Sequence, residues 1–214
     1  MNKCLLHDTT DNSLSQNFNT MKKNYFLFLF MLPFSINIVF GQEETLDVGD
    51  KAPSFTAVSD NNNIWDSQDY YFKDYVIIYF YPAAMTGGCT KQACSFRDNY
   101  KKLKELNADV VGISGDEVEN LKYFKKAHQL NFPLLADPDE KKKKKFGVPL
   151  RDGGKIEREV EGTSVTLNRG VTSARWTFII DKEGNIIYKN TDVNPEKDSE
   201  VVMNVIEKHR NNDL

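Results

Sequence analysis

Cysteine is scarce in this chain. Three occur in 214 residues, at positions 4, 89 and 94, too few for a disulfide-built scaffold. There is no Cys-x-x-Cys pair, so the common dithiol redox motif is missing. The three histidines and the cysteines show no zinc-ligand spacing, and no metal or other cofactor is expected. Positive charge is not in excess. A net charge of −3 and a pI near 5.7 exclude the basic footprint of a nucleic-acid binder. The chain has no glycine-rich nucleotide loop, no internal repeat, and no low-complexity segment beyond Lys141 to Lys145. With 40% hydrophobic residues it is still long enough to bury one sizeable core.

The N-terminus also falls short of a membrane span. Met21-Lys22-Lys23 opens a positively charged segment. Tyr25 to Phe40 is mostly apolar, 16 residues long, and interrupted by Pro33, Ser35 and Asn37. Val39 and Gly41 hold the −3 and −1 positions of a small-residue cleavage site before Gln42. This is the pattern of a secretory signal peptide over residues 21–41, with residues 1–20 as an upstream extension and Met21 as the start. On that reading residues 42–214 form one exported, periplasmic domain that meets a membrane only through its signal segment. Cys4 is then lost, and Cys89 and Cys94 remain in a compartment where an oxidised pair forms easily.

The stretch from Val76 to Leu106 organises the rest. Val76 to Tyr81 is an apolar run that predicts a buried strand, ended by Pro82. Thr86 is a favoured N-cap residue, and Gly87, Gly88 and Cys89 then occupy the first three helical positions. Cys89 falls in the turn whose backbone N–H groups have no intrahelical partner, where the helix dipole favours an anion such as a thiolate. Cys89, Ala93, Phe96, Tyr100 and Leu103 fall on one helical stripe, the core-facing one. Cys94 lies about 140° further round, on a polar flank with Arg97, Asp98 and Lys101. Five residues also separate the two cysteines by about 7.5 Å along the axis. A bond between them requires the first turns of the helix to unwind.

The remaining chain alternates strand and helix. Strands are predicted at Ala52 to Val58, Ile64-Trp65, Asp109 to Ser114, Phe132 to Ala136, Trp176 to Asp181 and Ile186 to Lys189. Helices are predicted from near Asp116 through His128, from Asp137-Pro138 to Gly147, and from Glu196 to Arg210 with Val201, Val202, Val205 and Ile206 inward. Residues 150–172 suggest a hairpin, and Lys182-Glu183-Gly184-Asn185 a hairpin turn. Lys141 to Lys145 read as a solvated helix face. The order indicates a single α/β or α+β domain.

Pro82, Thr86 and Cys89 stand in the spacing Pro-x3-Thr-x2-Cys. Arg175 follows in Arg-x-Thr-Phe ahead of Ile-Ile-Asp-Lys-Glu-Gly, and Cys94 lies five residues after Cys89. From about Val48 to His209 this pattern resembles the peroxiredoxin family, and within it the bacterioferritin-comigratory, or Q-type, subgroup. The resemblance implies a thioredoxin-like α/β fold, a central mixed sheet flanked by helices. It also implies reduction of hydrogen peroxide and organic hydroperoxides by thiols, in antioxidant defence and redox homeostasis. Carried over, Cys89 is the peroxidatic cysteine, Cys94 the resolving one, and the two form an intramolecular disulfide. Thr86 and Arg175 polarise the peroxide and hold the thiolate, the Gly88 N–H joins them in binding substrate, and Pro82 shapes the pocket. The implied partners are a peroxide and an external dithiol reductant such as a thioredoxin-like protein. The protein itself is expected to be a monomer or weak dimer. Gly87 departs from the pattern, since many Q-type members have proline there. Glycine makes the helix start easier to unwind.

Outside that pattern the same residues have plainer readings. Cys89 alone is an inert core thiol, Arg175 alone a surface ion-pair residue, Thr86 a cap, and Pro82 a strand terminator. His128, on an apolar helix face, is a satisfied structural histidine. The competing functions are an exported thiol–disulfide oxidoreductase on the same fold, and an exported binding module stapled by a Cys89–Cys94 bridge.

Overall fold

The computed structural model describes residues 46–160 and 162–212. The expected signal peptide at 21–41, the extension at 1–20 and the mature start at 42 lie outside the described residues. Within them the strands are β1 (Thr56–Val58), β2 (Ile64–Asp66), β3 (Tyr75–Phe80), β4 (Ala108–Ser114), β5 (Leu134–Ala136), β6 (Leu150–Val160), β7 (Thr163–Ser173), β8 (Trp176–Ile180) and β9 (Ile186–Asn190). The helices are α1 (Gly87–Glu105), α2 (Val118–His128), α3 (Lys141–Lys145) and α4 (Asp198–Arg210).

Five strands form a mixed central sheet in the order β5-β4-β3-β8-β9. β3 and β4 run parallel, as do β4 and β5, while β8 is antiparallel to both β3 and β9. Every side chain of β3 is buried, so both faces of the sheet are covered. Strand alternation sends Tyr75, Ile77 and Tyr79 into one core with Cys89, Phe96, Phe124 and Ile206 of the helices. Val76, Ile78 and Phe80 face the other core, with Phe55, Trp65, Phe146 and Phe178. This is the thioredoxin-like α/β arrangement expected.

Three expectations are corrected. Helix α3 begins at Lys141, not at Asp137-Pro138. The Asp137 carboxylate turns inward and accepts the backbone N–H groups of Lys142 and Lys143, and Glu140 takes a left-handed backbone that breaks any helix before it. Nor is the lysine run wholly solvated. Lys143 is completely buried, and its ammonium donates to the Asp137 carbonyl at 2.8 Å and carboxylate at 3.1 Å. Burial pushes the Lys143 pKa down, and Asp137 opposes that push. In α4 Val202 and Ile206 point inward, whereas Val201 is 38% exposed.

Residues 150–172 do form a hairpin, with eleven residues in each strand. β7 buries Leu167, Arg169, Val171 and Ser173 on one side. His128 is structural, as expected: its ring meets Phe124 edge to face at 5.3 Å, and its carbonyl accepts from Arg97. Burial, with Arg97 nearby, lowers its pKa. Among the described residues no helix is long and apolar enough to cross a membrane.

Candidate active site

The site is built where β3 gives way to α1. Half-buried Pro82 follows the strand, and the loop Ala83 to Thr86 carries the chain into the helix. That loop is pinned from several sides. The Ala84 N–H donates to Asp116 Oδ2 at 2.8 Å, and the Ala84 carbonyl accepts from Arg169 Nη2 at 2.7 Å. The Met85 carbonyl accepts from Arg158 Nε at 3.1 Å. Met85 itself has φ near 60°, a strained value for a non-glycine residue. Arg158 and Arg169 both belong to the long hairpin, so that hairpin clamps two consecutive carbonyls just ahead of the helix. Arg169 also bonds Asp116 Oδ1 at 3.0 Å inside the protein, where Ser114 and Asn120 complete the carboxylate's partners.

Thr86 occupies the N-cap position with extended backbone, as predicted, but its side chain makes no cap hydrogen bond. Its hydroxyl donates to the Ala83 carbonyl at 2.9 Å. The oxygen lone pairs therefore remain free to accept a hydrogen bond from another group.

Cys89 lies at the third position of α1 and is 1% exposed. Arg175, in the turn before β8, reaches across so that Nη2 stands 3.3 Å from Sγ. Gly88 permits this approach, because a Cβ there would lie 3.3 Å from Nη2 and 3.8 Å from Pro195 Cγ. An open groove of about 690 Å³ runs past the helix start, lined by Gly87, Gly88, Lys91, Asp192, Pro195 and Glu196. Lys91 and Glu196 pair across it at 2.6 Å.

Three residues missed by the sequence reading stand behind Arg175. Its Nη1 donates to Gln92 Oε1 at 2.5 Å, Gln92 Nε2 donates to Asp198 Oδ2 at 2.7 Å, and Thr177 Oγ1 donates to the same oxygen at 2.8 Å. Gln92 was legible as Cys89 plus three, on the same helical face. Asp198 is more than a hundred residues away, and nothing in its own segment singles it out. Tyr79 and Tyr81 lie beneath the cysteine, and burial holds their pKa values well above the usual tyrosine range. They stay neutral and add no charge to the site.

Cys94 is half-buried on the other flank of α1, and both cysteines are free thiols. The structure thus brings Cys89, Arg175 and Gly88 together, with Thr86 and Pro82 at the helix entrance. It holds Cys94 apart by the helix itself.

A thiol in the first turn of a helix, in contact with an arginine beside a thioredoxin-like sheet, defines a class of thiol-based redox proteins. Residues 48–189 match the AhpC/TSA family, and the chain belongs to it. It is 40% identical over 150 residues to the chloroplastic peroxiredoxin Q of Oryza sativa subsp. japonica, covering 70% of this chain and 61% of that protein. It is 44% identical over 142 residues to a protein of Mycobacterium tuberculosis named as a peroxiredoxin, covering 66% of this chain and 83% of the relative. The crystal structure of the peroxidoxin BcpB of Mycobacterium tuberculosis superposes with a TM-score of 0.63 at 28% identity, over 76% of this chain and 97% of that one. The chain thus spans about three fifths of the rice protein it matches.

Proposed function

We propose that this chain is a Q-type thiol peroxidase that reduces hydrogen peroxide and organic hydroperoxides. The observation that carries the reading is the 3.3 Å contact between Arg175 Nη2 and Cys89 Sγ in the first turn of α1. Arginine is always charged and presents a rigid fork of donors, so it stabilises a thiolate and then the negative charge that develops on the departing oxygen. Thr86 accepts from the hydroperoxide O–H, and the backbone N–H of Gly88 adds a donor. Pro82 shapes and shields the entrance.

The thiolate of Cys89 attacks one peroxide oxygen and the O–O bond breaks. The attacked oxygen stays on sulfur as a sulfenic acid, and the other leaves with a proton as water or an alcohol. Cys94 then attacks the sulfenic sulfur, forming the Cys89–Cys94 disulfide and releasing water. An external dithiol, such as a thioredoxin-like protein, reduces that disulfide by exchange. Because α1 is continuous from Gly87 to Glu105, resolution requires its first turns to unwind.

Stopped-flow tryptophan fluorescence tests the assignment, with Trp176 beside Arg175 as reporter. The reduced chain mixed with peroxide gives a fast, concentration-dependent phase. Cys94→Ser keeps that phase and Cys89→Ser loses it. A rate no higher than that of a free thiol in solution turns the reading to disulfide exchange with protein substrates. We infer, from residues 21–41 alone, that the enzyme works outside the cytoplasm. The mass of the exported protein then corresponds to a chain starting at Gln42.

A further inference from the structure

Cys89 is joined to α4 by a single line of hydrogen bonds. Arg175 Nη2 rests on Cys89 Sγ, Nη1 on Gln92 Oε1, Gln92 Nε2 on Asp198 Oδ2, and Thr177 Oγ1 closes the line from β8. Gln92, Thr177 and Asp198 are all buried, Asp198 to within 2%. Arg175 is only partly buried, so it has room to swing toward solvent when its partners change. The ionisable groups facing Cys89 are Arg175 from the turn before β8 and Tyr79 and Tyr81 from the β3 side, with Asp198 one residue behind Gln92.

A glutamine amide has two distinct ends, and nothing in the helix decides which faces Arg175. Arginine has only donors, so it needs the oxygen. A carboxylate has only acceptors, so it takes the NH₂. We propose that Asp198 is a positioning residue of the peroxidase site: by accepting from Gln92 Nε2 it fixes the polarity of that amide, which holds Arg175 Nη2 against Cys89. The proposal rests on the reading of Arg175 as the residue that stabilises the Cys89 thiolate.

Two effects of Asp198 oppose each other. Its negative charge disfavours a second anion at Cys89, whereas its hydrogen bond keeps the favourable cation in place. Removing the side chain abolishes both. The buried Gln92 NH₂ then lacks an acceptor, a costly condition for a buried donor, and the side chain leaves its place to find one. Arg175 Nη1 loses Oε1 with it, and Arg175 leaves the sulfur. Asparagine removes the charge but keeps an oxygen for Gln92 and Thr177. Asp198 Oδ1 has no hydrogen-bond partner among the described residues, so the asparagine NH₂ displaces no existing bond there.

The test is the pH profile of iodoacetamide alkylation at Cys89 in the reduced full chain, followed on the Cys89 peptide by mass spectrometry. Asp198→Ala slows alkylation at pH 7 about tenfold and moves the profile up by about one pH unit. Asp198→Asn brings the profile back to that of the unaltered protein or below it, while losing thermal stability. Gln92→Met moves the profile as far as Asp198→Ala, and the double variant moves it no further, because Asp198 acts through Gln92. The proposal is overturned if Asp198→Ala leaves the profile in place or lowers it, as loss of a negative charge alone would do. It is also overturned if Asp198→Asn shifts the profile as much as alanine, or if the shifts of the double variant add. Should Asp198→Ala fail to fold, Gln92→Met and Asp198→Asn still decide the matter, the first expected to raise the profile and the second not. Peroxide takes no part in this assay, so failure of the peroxidase reading shows separately, in the stopped-flow experiment.

Discussion

Gly87→Ala tests whether the start of α1 must open before the disulfide forms. Gly87 is the first helical residue, it is exposed, and an added Cβ meets nothing within 4 Å. The methyl group therefore fits without strain. At such a position Gly→Ala stabilises by about 0.4–1 kcal/mol, chiefly by restricting the open chain. Cys89 and Cys94 stand about 7.5 Å apart along the closed helix, and opening precedes bonding. With opening as a rapid pre-equilibrium, that stabilisation slows disulfide formation about two- to fivefold. In the proposed mechanism the attack on peroxide takes place in the closed turn, so its rate is expected to be unchanged. Gly87→Pro acts in the same direction. Thr86 already has the extended backbone that precedes proline, and proline suits the first helical position. The assay is two-phase stopped-flow fluorescence, with the disulfide counted by mass spectrometry on quenched samples. Slower resolution also lengthens the life of the sulfenic acid, so over-oxidation to sulfinic acid rises at high peroxide. A Gly87→Ala protein that melts higher yet resolves at the unaltered rate would refute the reasoning, because the bond would then form without unwinding the first turn.

Other perturbations follow from the same contacts. Arg175→Lys loses the fork that reaches Gln92 and Cys89 together, and the second-order rate with hydrogen peroxide falls about ten- to a hundredfold; a rate within twofold of the original contradicts the assignment. Arg169→Met leaves the buried Asp116 carboxylate without its cation and lowers unfolding stability by about 3–5 kcal/mol in denaturant titration. Arg158→Ala, whose bond to Met85 is exposed, costs under about 1 kcal/mol in the same titration. Burial raises the Asp198 pKa above its usual 3.8, more than the hydrogen bonds from Gln92 and Thr177 lower it. The folded state then holds the proton more tightly than the unfolded one. Stability relative to Asp198→Asn therefore falls as pH rises from about 4, and levels off once Asp198 is ionised; paired melting curves from pH 4 to 8 check the sign.

Much of the frame could be read from local pattern. The buried run at β3, the cap-glycine-glycine-cysteine start of α1 and the Cys89-Ala93-Phe96-Leu103 stripe all follow from residue type and period. Where the structure departs from that pattern, a side chain takes a different partner within a few residues. Asp137-Pro138 carries the residues of a helix start, yet the carboxylate serves backbone N–H groups further on. A run of five lysines is polar by composition, and only the inward Asp137 makes a buried place for Lys143. Thr86 has the residue type of a cap, but the Ala83 carbonyl captures its proton.

The sequence by itself determined that a thiol would sit at a helix N-terminus after a buried strand, because strand period, capping and the dipole act over a few neighbouring residues. It also determined that Cys94 would face away from Cys89, because five residues advance a helix by a fixed angle and rise. Only the tertiary structure decided which groups surround that thiol. Arg175 arrives from the turn before β8, Asp198 from α4, and Arg158 and Arg169 from the hairpin, each carried there by sheet pairing and core packing. Those contacts span roughly seventy to a hundred residues of chain, a distance over which local propensity and periodicity carry no information.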